Sequence, residues 1–177
     1  MRVILTVGLC LVLCTCSSSP GVPLDIDAVR AALTYEIGII ATGINHEDPL
    51  LASQPVSPRF TMNENVAVRY HQGGWDGTGI GKYREFFAKV FTVHANIDQR
   101  FTIHDLSLNG EVAWVRVYND FLSSRTDVTP PENYTAAGWD WLVFELDNGK
   151  WLLINWDEAP DPNAEPIDHD AGNGEDI

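Results

Sequence analysis

The stretch GWDWLVFELDNGKWLLINWD, residues 138–157, decides the fold class of this 177-residue chain. Apolar and polar side chains alternate through much of it, with the period of a β-strand that is buried on one face. Asn148-Gly149 stands near its centre, and an Asn-Gly pair favours a two-residue β-hairpin turn. The stretch therefore predicts two antiparallel neighbouring strands, at 136–147 and 150–157.

The same pattern continues upstream of this hairpin. Alternating runs at 97–108 and 112–122 flank Asn109-Gly110, which predicts a second hairpin. A longer connection that contains Pro130-Pro131 joins the two hairpins. Together they predict a four-stranded antiparallel meander near the end of the chain.

The first half of the chain carries the helical signals. After Asp25, a good N-cap residue, apolar residues recur at helical spacing and predict an amphipathic helix that ends near Asn45-His46. These residues are Ile26, Val29, Leu33, Ile37, Ile40 and Ile44. A turn is expected at 47–52 and a further helix at 80–93.

Between these helices, apolar residues alternate on both sides of Asn63-Glu64-Asn65, with Phe60 and Met62 before it and Val66, Val68 and Tyr70 after it. This alternation predicts two short strands around a turn. Helices, a hairpin, a helix and a meander in this order predict an α+β fold.

The N-terminal residues have the pattern of an export signal. Met1-Arg2 precedes an apolar run at 3–13 that is too short to span a bilayer as a helix. All three cysteines, Cys10, Cys14 and Cys16, lie in this region, so the mature domain is expected to lack a disulfide.

Cys16 follows Leu13-Cys14-Thr15 and precedes a run of serines, which resembles the lipobox of bacterial lipoproteins. That resemblance implies lipidation of Cys16, although Thr15 departs from the usual Gly, Ala or Ser. The alternative is an ordinary cleaved signal. The expected organisation is an export signal at 1–16, a tether at 17–24, one domain at 25–158 and an acidic disordered tail at 159–177.

The composition limits the partners and cofactors to be expected. Lys and Arg number 11 against 25 acids, a formal charge of −14, and no Lys or Arg follows Asp157. An acidic surface repels phosphate backbones, so nucleic acid is not an expected partner. The five histidines are scattered without metal-ligand spacing, and we expect neither a metal site nor a cofactor.

Period-2 alternation divides the strands of the meander into two faces, and the more aliphatic face should lie against the helices. Asn119 and Asp140 interrupt that face, and Glu36 lies near the apolar stripe of the first helix. We expect these three residues to converge in an apolar cavity, where a carboxyl group has a raised pKa and can act as a general acid or base. The alternative is that Asp140 and Glu36 lie at the solvent-exposed rim of the cavity or form ion pairs with Arg69 or Arg30.

Five further residues are candidates for ligand binding in the same cavity. Three lie on the aliphatic face around Asp140, and two lie where a predicted strand meets the glycine-rich loop at 73–79. They are Phe144, Ile154, Trp156, Tyr70 and His71.

The opposite face of the meander is aromatic. Its members are Trp114, Tyr118, Trp139, Trp141 and Trp151. Because monomers seldom leave such a patch in water, and because aromatic residues are enriched at interface cores, this face predicts a protein interface. The alternative is that the two faces are inverted and the tryptophans line the cavity.

The element order over 25–158 resembles the nuclear-transport-factor-two-like superfamily, in particular its SnoaL-like branch. The residues that carry the resemblance are the first helix, Arg59-Phe60-Thr61-Met62-Asn63, Gly79-Ile80 leading into Arg84-Glu85-Phe86-Phe87, and the closing run at 151–157. The resemblance implies a cone-shaped, curved antiparallel sheet wrapped over three helices and enclosing a pocket. It also implies a possible homodimer through the sheet.

Two functions follow from these observations. One is an exported, lipid-anchored domain that binds a small apolar molecule or a protein partner and reaches the membrane through its lipid anchor only. The other, which the resemblance also allows, is a cofactor-independent isomerase, cyclase or dehydratase with Asp140 as general base and Asn119 and Glu36 in support. Fold alone does not choose between them.

Overall fold

The computed structural model describes residues 24–70, 75 and 77–162, and within them the chain forms four helices and five strands. The helices are α1 (Ile26–Asn45), α2 (Pro49–Ala52), α3 (Glu64–Val68) and α4 (Gly79–Val93). The strands are β1 (Val56–Met62), β2 (His94–Asn109), β3 (Val112–Arg125), β4 (Glu132–Asp147) and β5 (Lys150–Glu158).

The strands form one curved, open sheet in the order β1-β5-β4-β3-β2. Strands β2 to β5 are the antiparallel meander that the two Asn-Gly turns predict. Strand β1 adds to its edge and runs parallel to β5. The predicted α+β class with a curved sheet over helices is therefore confirmed.

The prediction of a strand at 66–70 is wrong, because this segment begins with the helix α3. The side chain of Asn63 accepts a hydrogen bond from the backbone N–H of Asn65 at 2.8 Å, which caps the helix. Val66 and Tyr70, four residues apart, are fully buried, whereas Val68 is 54% exposed. The apolar spacing is that of a helix, and the alternation resembles a strand only because the segment is short.

The core lies between the concave side of the sheet and the helices. α1 packs on β2, and α4 packs on β1 and β2. The largest fully buried side chains include Tyr83 and Phe87 from α4 and Phe121, Phe144 and Trp156 from the sheet. The predicted aliphatic face of β3 and β4 is thus the core face.

A β-bulge reverses the faces within β5. Val143 pairs with Asn155, but the next residue, Phe144, pairs with Leu153, so Ile154 is an extra residue on β5. Because side chains alternate with period two, one extra residue moves every position on one side of it to the other face.

The sequence-based faces of β5 are therefore wrong before the bulge. Trp151 and Leu153 are buried in the core, whereas Leu152 and Ile154 are only partly buried. Trp156, beyond the bulge, is fully buried on the core side as predicted. The bulge has no signature in the sequence, since Leu152, Leu153 and Ile154 form a continuous apolar run without a glycine to mark it.

Candidate functional site

Asp140 is the centre of the polar cluster in the core. Its side chain is fully buried, and Oδ1 accepts a hydrogen bond from Arg69 in an ion pair. Oδ2 accepts hydrogen bonds from Nδ2 of Asn119 and from Nε1 of Trp156, each at 2.8 Å. Both carboxylate oxygens are thus engaged by donors from three different elements of the fold.

Arg69 directly follows α3 and reaches Asp140 across Gly138. A Cβ built at Gly138 would lie 2.4 Å from Nη1 of Arg69, so only glycine leaves room for the guanidinium in this position. The backbone carbonyl of Arg69 accepts a hydrogen bond from the hydroxyl of Tyr134 at 2.7 Å. Within the described part of the chain, Nε and Nη1 of Arg69 are buried without a hydrogen-bond partner.

The cluster continues from Asn119 to Tyr70 and Gln99. Asn119 donates to the Tyr70 hydroxyl at 3.2 Å and accepts from Nε2 of Gln99 at 2.6 Å. The Tyr70 hydroxyl in turn donates to Oε1 of Gln99 at 3.0 Å. Asn45, at the end of α1, accepts from the backbone N–H of Gln99 and donates to its carbonyl. The cluster therefore joins α1, α3 and the sheet.

Burial dominates the electrostatics of the cluster. It raises the pKa of the Asp140 carboxyl, while the charge of Arg69 and the hydrogen bonds from Trp156 and Asn119 act in the opposite direction. Burial also raises the pKa of the Tyr70 hydroxyl, and the negative charge of Asp140 adds to this effect. A carboxylate that is fully buried and hydrogen-bonded at both oxygens holds the surrounding elements together.

The structure brings Asp140 and Asn119 together but does not bring Glu36 to them. Glu36 is buried on α1, where burial raises its pKa and the charge of Lys150 opposes that shift. Lys150 pairs with Asp147, seven residues along β4 from Asp140. Seven residues of extended strand span about 23 Å. The expected convergence of the two carboxylates is therefore not observed, and of the two ion-pair alternatives the structure contains the one between Asp140 and Arg69.

The candidate ligand-binding residues lie in different surroundings. Tyr70, Phe144 and Trp156 are fully buried in the aromatic core, where Tyr70 meets Phe121 at 4.8 Å and Trp156 at 5.9 Å between ring centroids. Ile154 is the extra residue of the bulge and is only partly buried. His71 lies outside the described residues, as does Cys16.

The convex side of the sheet carries a second cluster, which we call the outer aromatic face: Trp114, Arg116, Tyr118, Trp139 and Trp141. Trp114 and Tyr118 are 43% and 37% exposed. The Arg116 guanidinium lies 5.9 Å from the ring centroid of Trp139 and 5.8 Å from that of Trp141. Four of the five predicted aromatics therefore share this face, and Trp151 does not.

Edge-to-face contacts between aromatic rings hold the side chains of this face against each other. Trp114 meets Trp141 at 6.4 Å and Tyr118 meets Trp139 at 5.2 Å between ring centroids. Asp105 lies 3.6 Å from Nη2 of Arg116, so the cation has a carboxylate beside it as well as two indole rings. The composition of the face, tryptophan, tyrosine and arginine, is that of interface residues with large contributions to binding.

The described residues contain no group of three or more His, Cys, Asp or Glu that could hold a metal ion. None of the described helices is long and apolar enough to cross a membrane. The clefts on the described surface include one of about 500 Å³ beside Arg59 and Glu145 and one of about 310 Å³ beside Tyr35 and Leu51.

Sequence reasoning missed Gln99, Tyr134 and Gly138, which complete the polar cluster. Gln99 lies in β2 between two register shifts, at 95–98 and at 103–105. Simple alternation along the sequence therefore does not predict which face of the sheet its side chain is on. Gly138 follows Ala136-Ala137 within a strand, and a strand glycine is a known sign of close approach by another group. That signal was available in the sequence.

Comparison with known proteins supports the fold. No protein-family model matches the sequence, and no curated protein matches it. A nuclear transport factor 2 (NTF2-like) superfamily protein from Salmonella enterica superposes with a TM-score of 0.61 at 16% identity, over 85% of this chain and 100% of that one.

Two further solved structures agree. A ketosteroid isomerase-like protein from Erwinia carotovora has a TM-score of 0.58 at 13% identity, over 74% of this chain and 96% of that one. A candidate scytalone dehydratase from Novosphingobium aromaticivorans has a TM-score of 0.61 at 12% identity, over 80% of this chain and 94% of that one.

A curved, open sheet with helices across its concave side defines the class of α+β cone folds. Within that class, the chain has the fold of the nuclear-transport-factor-two-like superfamily, as its sequence predicts.

Proposed function

We propose that this chain is an exported, lipid-anchored binding domain, and that the outer aromatic face is its docking surface for a protein partner. The observation that carries the proposal is the placement of four aromatic side chains and Arg116 on one exposed side of the sheet. Stable interfaces concentrate their binding energy in such Trp, Tyr and Arg clusters.

The interior supports this choice. Asp140 and Asn119, the residues expected to carry chemistry, are 0% and 3% exposed, and Nδ2 of Asn119 donates a hydrogen bond to Oδ2 of Asp140. Tyr70 and Trp156 fill the space beside them with ring contacts. A general base must reach the proton that it removes, and this carboxylate is enclosed by its own partners.

The anchor is Cys16. A lipid at this position would hold the domain close to a membrane through the residues that precede α1, with the folded part in the aqueous phase. The sequence pattern at 1–16 supports this part of the proposal, together with the confinement of all cysteines to that region.

Site-specific photo-crosslinking in the full-length chain tests the docking surface. A photoreactive residue at Tyr118, at the exposed side of the outer aromatic face, should give a discrete protein adduct in cells. The same residue at Tyr35, which is 68% exposed on α1, is the matched control and should give none. The mass of the adduct identifies the partner protein.

A small apolar molecule is the alternative occupant that the sequence suggests. Mass spectrometry of the purified native protein tests for it, since a retained small molecule would be released on denaturation. Retention of such a molecule, together with adducts that are equal at Tyr118 and Tyr35, would contradict docking on the outer face.

The second candidate function is a cofactor-independent isomerase or dehydratase that uses Asp140. Two observations favour it: burial raises the pKa of Asp140, and Arg69 keeps two buried donors without a partner among the described residues. Similar folds include the ketosteroid isomerase-like and candidate dehydratase proteins above. An NMR titration tests it, because a carboxyl that titrates near neutral pH suits a base, whereas one that stays ionised to low pH is a structural ion pair.

A further inference from the structure

The first half of β4 has an open edge. Strand β4 pairs with β3 from Glu132 to Glu145 without a register shift. Its pairing with β5 begins only at Asp140, and the last bond there runs from the Ala159 N–H to the Trp139 carbonyl at 2.8 Å. Among the described residues, none pairs with the second edge of 132–138.

The direction of the backbone groups at this edge follows from the two bonds that flank it. In an antiparallel strand, the N–H and C=O of one residue point to the same side, and this side alternates along the chain. The backbone carbonyl of Trp139 points toward β5, where it accepts from Ala159. The backbone N–H of Leu146 points to the opposite side and donates to the carbonyl of Glu111, next to β3. Asn133, Thr135 and Ala137 therefore present three N–H and three C=O groups to the open edge.

Natural edge strands are usually protected by proline, charge or a bulge. Here the segment ENYTAAG, residues 132–138, contains one charge, no proline and no bulge toward β3. Asn133, Thr135 and Ala137 are exposed residues. An unprotected edge of this kind is a template for another strand.

We propose that the open edge of β4 pairs with the same edge of a second copy of this chain, antiparallel about a two-fold axis at Thr135. This contact uses a different surface from the docking face proposed above and does not depend on it. In a two-fold contact the same segment of both copies meets, so residues 132–138 must be complementary to the same residues running in the opposite direction. The following three properties show that it does.

The first property is hydrogen bonding. With Thr135 opposite itself, Asn133 lies opposite Ala137 of the second copy. All three residues have outward N–H and C=O groups, so the two edges exchange six main-chain hydrogen bonds.

The second property is side-chain fit. Glu132 lies opposite Gly138 of the second copy, so no like charges face each other. Tyr134 lies opposite Ala136, which pairs a large side chain with a small one.

The third property is length. Pro131 precedes β4 directly, so the strand of the second copy begins at its own Glu132. Glu132 of the second copy lies opposite Gly138 of the first copy. The next residue of the first copy, Trp139, is already bonded to Ala159. The seven open residues are filled by seven residues, without collision with β5.

Cysteine crosslinking in the full-length chain, in its own membrane, tests the axis. Two Thr135→Cys residues at the axis have Cα atoms about 5.5 Å apart, within the range for a disulfide. Two Ala137→Cys residues have Cα atoms about 14 Å apart and cannot be joined. We expect a crosslinked dimer on a non-reducing gel for Thr135→Cys, and none for Ala137→Cys or for the chain with its native cysteines only.

Charge reversal at the axis gives a second measurement that does not need a disulfide. Thr135→Glu and Thr135→Lys each place like charges opposite each other and should sediment as monomers at protein concentrations up to about 1 mM. An equal mixture of the two should regain the dimer. Thr135→Val, which keeps a β-branched residue, should remain dimeric.

The proposal is overturned if the unmodified chain is monomeric at this concentration, or if Thr135→Cys and Ala137→Cys crosslink equally. Dimers that are lost in Trp141→Glu but kept in Thr135→Glu would also overturn it, because they assign the contact to the outer aromatic face. A dimer that survives Trp141→Glu supports the edge contact. The docking proposal for the outer aromatic face is tested separately, by the photo-crosslinking at Tyr118.

Discussion

The guanidinium of Arg69 occupies the space that a side chain at Gly138 would fill, since a Cβ there would lie 2.4 Å from Nη1. The glycine thereby leaves room for the arginine, which forms the ion pair with the buried carboxylate two residues further along β4. The absence of a side chain at position 138 thus makes room for the ion pair at the polar centre of the core.

Replacing Gly138 with alanine should displace Arg69 and destabilise the fold by about 1–3 kcal/mol, because a buried ion pair is disturbed. Urea unfolding measures the change. Gly38→Ala is the matched control: no atom lies within 4 Å of its added Cβ, and alanine in a helix should stabilise by about 0.5–1 kcal/mol. Equal effects of the two changes would contradict the role of Gly138.

Asp140→Asn should destabilise the domain by about 3–5 kcal/mol. An amide brings an N–H₂ group toward either Arg69 or the pair Asn119 and Trp156, all of which are donors in the wild-type cluster. Asp120→Asn, on the other face of the neighbouring strand, should change stability by less than about 0.5 kcal/mol. An Asp140→Asn protein as stable as wild type would mean that the carboxylate is not a structural group.

Glu36 gives a prediction on pH. Burial raises its pKa above the ordinary 4.5, so the folded state binds this proton more strongly than the unfolded state. The stability contributed by the neutral form is complete below the ordinary pKa and is lost as the pH rises through the folded-state pKa.

The variant Glu36→Gln keeps the side-chain shape and removes this titration. Relative to wild type, its free energy of unfolding should therefore rise between pH 4 and pH 7. Urea unfolding at both values measures the difference, and Glu47→Gln, an exposed change in the turn after α1, should follow wild type. A difference that is constant with pH would show that burial does not perturb Glu36.

Lipid anchoring predicts a change of location. A Cys16→Ser protein should leave the membrane fraction, because the other cysteines precede position 16 and would be removed with the signal. Metabolic labelling with palmitate should mark the unmutated chain only. Absence of label from the unmutated chain would contradict the anchor.

Much of the fold could be predicted because its signals are local. The Asn-Gly turns at 148–149 and 109–110 determine both hairpins, and the helical stripe of α1 is regular enough to be recognised alone. The short helix α3 was missed because five residues are too few to separate period 2 from period 3.6.

The site was harder to predict because its geometry depends on tertiary contacts. The alternation along β3 and β4 correctly places Asp140 and Asn119 on the core side. The position of Glu36 relative to Asp140 depends on how far α1 extends along the sheet, and no periodicity encodes that distance. The bulge at Ile154 likewise depends on strand pairing, not on local sequence.

The central claim is that the outer aromatic face, and not the enclosed polar cluster, is the functional surface. Native mass spectrometry of the full-length chain extracted in detergent tests it with two variants. Trp141→Glu changes the outer face, and Trp156→Phe removes the indole donor to Asp140 inside the core. We predict that wild type and Trp156→Phe carry a partner protein bound at the outer aromatic face and that Trp141→Glu lacks it, whereas a second copy of the chain held at the open edge of β4 stays bound in all three. A bound species that persists in Trp141→Glu and is lost in Trp156→Phe would contradict the account.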